Sequence, residues 1–174
     1  MPIKAQGADK MTKASQTIAE IVDFMKSDER CLLLTGTNSP DKLKLLMARL
    51  SVVCRDKNIL MRLNPLNRIG LIIGWAGVKV PPPTSAAKKL LNNNYHFDDM
   101  LITNTWHKAR NNYDVGILYP AEDMLTKGAF EAVADIFTKK IPKIFLLTHQ
   151  DPAGGDYSKL NEYVSRRVIY DLEG

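Results

Sequence analysis

Apolar positions along the chain alternate between helical spacing and short continuous runs, and the changes of period mark the elements. Ile18, Ile21, Val22 and Met25 fall at i, i+3, i+4 and i+7. This predicts a helix over 17–26, with Thr17 and Glu20 as a capping box. The run Cys31, Leu32, Leu33, Leu34, Thr35 reads as a strand buried on both faces. Ser39 as N-cap and Pro40 as first helical residue then open a helix whose stripe is Leu43, Leu46, Met47 and Leu50.

Residues 58–63 are the next predicted strand, ended by Asn64 and Pro65. Residues 69–80, rich in glycine and β-formers, are expected to be extended with a turn. After three prolines, Thr84 or Ser85 is expected to cap a short basic helix through Leu91. Asn92, Asn93 and Asn94 read as a loop, and Asp98 and Asp99 as the start of a helix carrying Met100, Leu101 and Trp106 towards Arg110. Strands over 114–119, 143–148 and 167–172 follow, with a helix faced by Phe130, Val133, Ala134 and Phe137 after the first of them. Strands alternating with helices predict a three-layer α/β/α domain around a mainly parallel sheet.

The length of 174 residues fits one domain, expected over 12–174 after a flexible polar terminus at 1–11. The apolar stretch 69–80 is interrupted by Gly70, Gly74, Gly77 and Lys79 and falls short of the ~20 residues of a membrane span. A cytoplasmic protein without a membrane partner is the expectation. Cys31 and Cys54 sit in apolar patterns and read as small hydrophobes, and His96, His107 and His149 share no ligand spacing. No metal and no cofactor are expected.

Charge is uneven. The chain carries +5 overall, but residues 41–112 hold twelve basic residues against four acidic ones, a local +8. A positive face of this kind attracts phosphates, whereas a merely solvated surface is the plain alternative.

The segment from Gly36 to Leu43 has the spacing of a phosphate loop of form GxxxxGK[ST] at its first glycine, Gly36, and its lysine, Lys42. Asn38 and Ser39 lie between them. Asp41 stands in place of the second glycine, Leu43 in place of the magnesium hydroxyl, and Pro40 removes an amide donor. A carboxylate beside triphosphate costs on the order of several kcal/mol in a partly desolvated site. The loop therefore reads as one of the right shape with its nucleotide chemistry lost, against the alternative of an ordinary βα connection.

Over residues 16–156 the chain resembles the first RecA-like domain of the P-loop NTPases, most nearly that of the superfamily 1 helicases. Gln16 sits where an adenine-reading glutamine precedes the phosphate loop. Residues 82–90, with Thr84, Ala86, Ala87, Lys88 and Lys89, look like a nucleic-acid-contacting PTxxAAxxL segment. Residues 113–123 are similar to the strand ending in an Asp-Glu magnesium pair, although Pro120 and Ala121 occupy the pair's positions and Glu122 and Asp123 come two residues late. The end of the 144–151 strand, with Thr148, His149 and Gln150, resembles a γ-phosphate sensor. A helicase needs a second such domain, for which the chain has no length.

What the resemblance implies is a non-catalytic, degenerate P-loop NTPase-like domain, a binding or scaffolding subunit of a nucleic-acid-handling assembly. Its partners would be another protein and, as a further candidate, DNA or RNA. Lys42, Lys88, Lys89, Lys108 and Arg110 are the expected phosphate or partner contacts. An enzyme reading competes: Gly128, Ala129, Phe130 and Glu131 look like the segment of nucleoside deoxyribosyltransferases whose glutamate is the nucleophile. Against it, Glu131, Asp135 and Lys139 share one helical stripe, expected to be solvated. A pure protein-interaction subunit is the third reading. Trp75 and Trp106 are expected in the core.

Overall fold

The computed structural model describes residues 13–36, 41–83, 86–126, 130–149 and 156–170. Residues 1–11, Asn38, Ser39, Thr84 and Gln150 lie outside them, as does the Gly128 part of the transferase-like segment. The elements are α1 (Lys13–Lys26), β1 (Cys31–Thr35), α2 (Asp41–Val53), β2 (Asn58–Leu63), α3 (Ile69–Ile73), β3 (Lys88–Leu90), β4 (Asn93–Asp99), α4 (Thr103–Lys108), β5 (Val115–Tyr119), α5 (Glu122–Thr126), α6 (Phe130–Thr138), β6 (Lys143–Leu147) and β7 (Arg166–Ile169). Among the described residues seven strands form one sheet in the order β3-β4-β2-β5-β6-β1-β7. Every pairing is parallel except β3 with β4.

The continuous apolar runs are buried on both sides because each strand feeds two cores. Leu32 and Leu34 of β1 join Ile21, Phe24 and the α2 stripe Leu43, Leu46, Met47 and Leu50 on one face. Cys31 and Leu33 join Trp106, Met124, Val133 and Ile136 on the other. Helices α1 to α3 thus cover one face and α4 to α6 the opposite one. The α/β reading holds at this level, and no helix among the described residues is long and apolar enough to cross a membrane.

Several expectations are corrected. Helix α1 is already formed at Lys13, so Thr17 lies buried inside it and forms no capping box. At its carboxyl end the Ser27 amide and hydroxyl donate to the Phe24 carbonyl at 3.1 and 2.7 Å, and the Lys143 ammonium donates to the carbonyls of Phe24 at 2.8 Å and Ser27 at 2.7 Å, a cation at the helix C-terminus. Residues 69–76 are helical where an extended segment was expected: Ile69 and Ile73 are buried from the short α3, and a 3-10 turn over Gly74–Ala76 ends at Gly77, with φ of 98°. Residues 88–90 form a strand where a basic helix was expected. Leu91 and Asn92, with φ of 46° and 70°, make a two-residue hairpin turn, and Asn93 opens β4 where a loop was expected. Asp98 and Asp99 end that strand instead of starting a helix. In α6 the buried residues are Ala132, Val133 and Ile136, while Ala134 is exposed and Phe130 and Phe137 are only half-buried. Trp75 is partly exposed where a core position was expected, whereas Trp106 is buried.

Candidate functional site

The connection leaving β1 runs through α2 on one face, whereas the one leaving β6 passes Tyr157 and Leu160 on the other. Adjacent strands whose connections part to opposite faces leave a crevice at their carboxyl ends, the usual ligand position of an open parallel sheet. Gly36, Lys42, Thr148 and His149 meet there.

Lys42 is fully buried. Its ammonium donates to the carbonyl of Gly36 and, at 3.4 Å, to that of His149, tying the loop after β1 to the end of β6. The need for glycine at 36 also has a local cause. Its φ is 128°, and a Cβ there would lie 1.9 Å from the carbonyl oxygen of Tyr170. The Tyr170 amide donates to Thr35 at 2.7 Å, so the end of β7 is pressed against this turn.

The acidic residues after β5 are engaged as well. Both carboxylate oxygens of Glu122 accept the His149 amide, at 2.8 and 3.0 Å. Asp123 accepts the Asn64 side-chain amide at 2.6 Å. Tyr119 shares its hydroxyl with Nδ1 of His149. Burial, with the charges of Glu122 and Asp123, pushes the Tyr119 phenol above its ordinary range, so it is a neutral hydrogen-bonding group here. Thr148 is buried, with its amide on Leu34 at 3.1 Å. Among the described residues these groups form one polar network.

Other predicted contacts lie elsewhere. Lys88 and Lys89 pair with Tyr95 and Asn94 near the amino-terminal start of β4. Lys108 is exposed at the end of α4, and Arg110 reaches Nε2 of His96 at 2.7 Å ahead of β5. These four sit at the amino-terminal ends of the strands and Lys42 at the carboxyl-terminal ends. The basic residues therefore do not converge on one surface. Gln16 lies within α1 instead of preceding a helix. Glu131 is exposed in the first turn of α6. The stripe it was expected to share with Asp135 and Lys139 is not uniformly solvated, because Lys139 is buried and Asp135 pairs with Arg62 at 2.8 Å.

That pairing belongs to a polar cluster the sequence pattern concealed. Arg62 of β2 is wholly buried and binds Asp98 of β4 through two bonds of 2.9 Å, with a third to the Ala132 carbonyl at 2.6 Å. Its guanidinium lies 4.6 Å from the centre of the Trp106 ring. Burial opposes the charge, but the carboxylates of Asp98 and Asp135 outweigh it and hold Arg62 above its ordinary value. The only prior signal was a single cation inside an apolar strand. Among the described residues no three His, Cys, Asp or Glu side chains gather as a metal site.

In comparisons with known proteins, no family model, no curated protein and no solved structure matches this chain.

Proposed function

We propose that the chain is a degenerate, non-catalytic P-loop NTPase-like domain of RecA-like architecture that serves as a binding or scaffolding subunit. The observation that carries this reading is the engagement of Lys42. A phosphate-gripping lysine needs its donors turned towards the anion, whereas Lys42 is buried and bonded to Gly36 and His149. Glu122 and Asp123, the nearest counterparts of a magnesium pair, are likewise bonded to the His149 amide and the Asn64 side chain. The sheet order supports the architecture, since β6 with its sensor-like end lies between β1 and β5.

A network of this kind can hold three strand ends in register without turnover. The partner is then met on the outer surface, and a protein within a larger assembly is the partner this reading favours. Calorimetric titration with ATP and magnesium, together with a phosphate-release assay, tests the proposal. Neither heat of binding nor release is expected. Micromolar ATP binding, or hydrolysis abolished by Lys42→Ala, would overturn it.

A further inference from the structure

Between residues 57 and 97 the chain has six basic residues and no acidic one. Arg62 among them is neutralised in the core, but Arg68 and Lys79 reach the surface beside α3, together with Lys44 of α2. Arg68, Leu71 and Trp75 are all exposed along the short run formed by α3 and its two flanking 3-10 turns. Leu71 is 82% exposed, Trp75 43% and Val80 74%. Val80 belongs with them because the chain folds back there: a Cβ on Gly70 would lie 2.7 Å from the Lys79 carbonyl oxygen. Lys44 stands 5.5 Å over the Trp75 ring. No described carboxylate pairs with Lys44, Arg68 or Lys79.

We infer that Leu71, Trp75 and Val80, rimmed by Lys44, Arg68 and Lys79, form the docking surface for an acidic, apolar-faced segment of a partner protein. The inference rests on reading the chain as a binding subunit. Large apolar side chains this exposed gain most by burial against another apolar surface. The cationic rim, to which no described carboxylate is paired, selects a partner bearing Asp or Glu around its apolar residues. A second copy of the chain is disfavoured, because a two-fold contact through this patch would bring like charges together. Single-stranded nucleic acid would use the Trp75 ring and the cations but leave Leu71 and Val80, the two most exposed of the three, without stacking or hydrogen-bonding work.

The test is selection of short random displayed peptides against the whole folded chain, followed by fluorescence anisotropy with the synthesised winners. We expect winners enriched in Asp and Glu among Leu, Ile, Phe and Trp, with binding weakened by about 0.5 M salt. Leu71→Ser with Trp75→Ser, and separately Lys44→Glu with Lys79→Glu, should each weaken binding by about tenfold or more while leaving the thermal midpoint near that of the parent. Winners without acidic enrichment, or binding that survives both double variants, would overturn the inference. So would binding of oligothymidine or of phosphatidylserine vesicles through these residues in the absence of acidic peptide binders. Nucleotide binding at Lys42 would overturn the proposed function and leave all these readouts unmoved.

Discussion

The Lys42 ammonium donates to the His149 carbonyl across 3.4 Å, joining positions 107 residues apart in the chain. Because Lys42 is fully enclosed, its role is read out in stability. Lys42→Ala leaves a cavity and two carbonyls without this donor, and should lower unfolding free energy by about 2–4 kcal/mol in urea titration. A solvent-facing phosphate lysine would give almost no change in the same measurement.

Arg62 and Asp98 stand directly opposite each other in the β2 and β4 register and are both buried. Asp98→Ala removes the bidentate partner and leaves Arg62 with the half-buried Asp135, which should cost about 3–5 kcal/mol. The double variant Arg62→Met with Asp98→Leu should lose much less than the sum of its single changes. Guanidinium denaturation of all four proteins checks the cycle, and strict additivity would refute the coupling.

Two glycines should respond in opposite ways. Gly36→Ala meets the Tyr170 carbonyl and a backbone of φ 128°, and is expected to cost more than about 2 kcal/mol and to loosen the end of β7. At Gly74 a Cβ meets nothing within 4 Å and the backbone is right-handed, so Gly74→Ala should be neutral or stabilising by up to about 1 kcal/mol. Thermal melts of the two variants, with hydrogen exchange at Val168 and Tyr170, test both.

Acid stability should depend on Glu29. The hydrogen bond from Arg166 holds its carboxyl below the ordinary 4.5, with Arg166 also reaching Glu20 and Asp23 at 2.8 Å each. A carboxyl depressed in the folded state contributes stability fully above its unfolded pKa and loses it as pH falls through the lower folded value. The thermal midpoint should therefore decline from about pH 4.5 downwards, and Glu29→Gln should flatten that decline. An unchanged acid limb in the variant would remove Glu29 from the account.

Much of this fold was legible because the information was local. The runs at 31–35, 58–63, 115–119 and 143–147 are predominantly apolar and short, the pattern of buried strands. The Leu43, Leu46, Met47 and Leu50 stripe could only be the buried side of a helix. Residues 88–99 failed for the opposite reason. Lys88, Lys89, Asn93, Asn94, Asp98 and Asp99 give a polar pattern without strand character, and only pairing with β2 and neutralisation of Asp98 by Arg62 make a strand of it. Residues 69–80 misled because glycine weakens helical propensity, whereas burial of Ile69 and Ile73 restores the helical form.

The candidate site divides in the same way. Spacing singled out Gly36 and Lys42, and the resemblance to a sensor-like strand end Thr148 and His149, since a loop between strand and helix and a strand end are features of neighbouring residues. Whether Lys42 would face solvent or carbonyls, whether Glu122 would be open or engaged, and whether Lys88, Lys89, Lys108 and Arg110 would gather near Lys42 were decided by the sheet. The strand order brings β6 beside β1 and sends the other four cations to the opposite strand ends. Local periodicity determines which segments must be buried. Which polar groups meet depends on the order in which strands pair, a matter of long-range packing that no short stretch of sequence encodes.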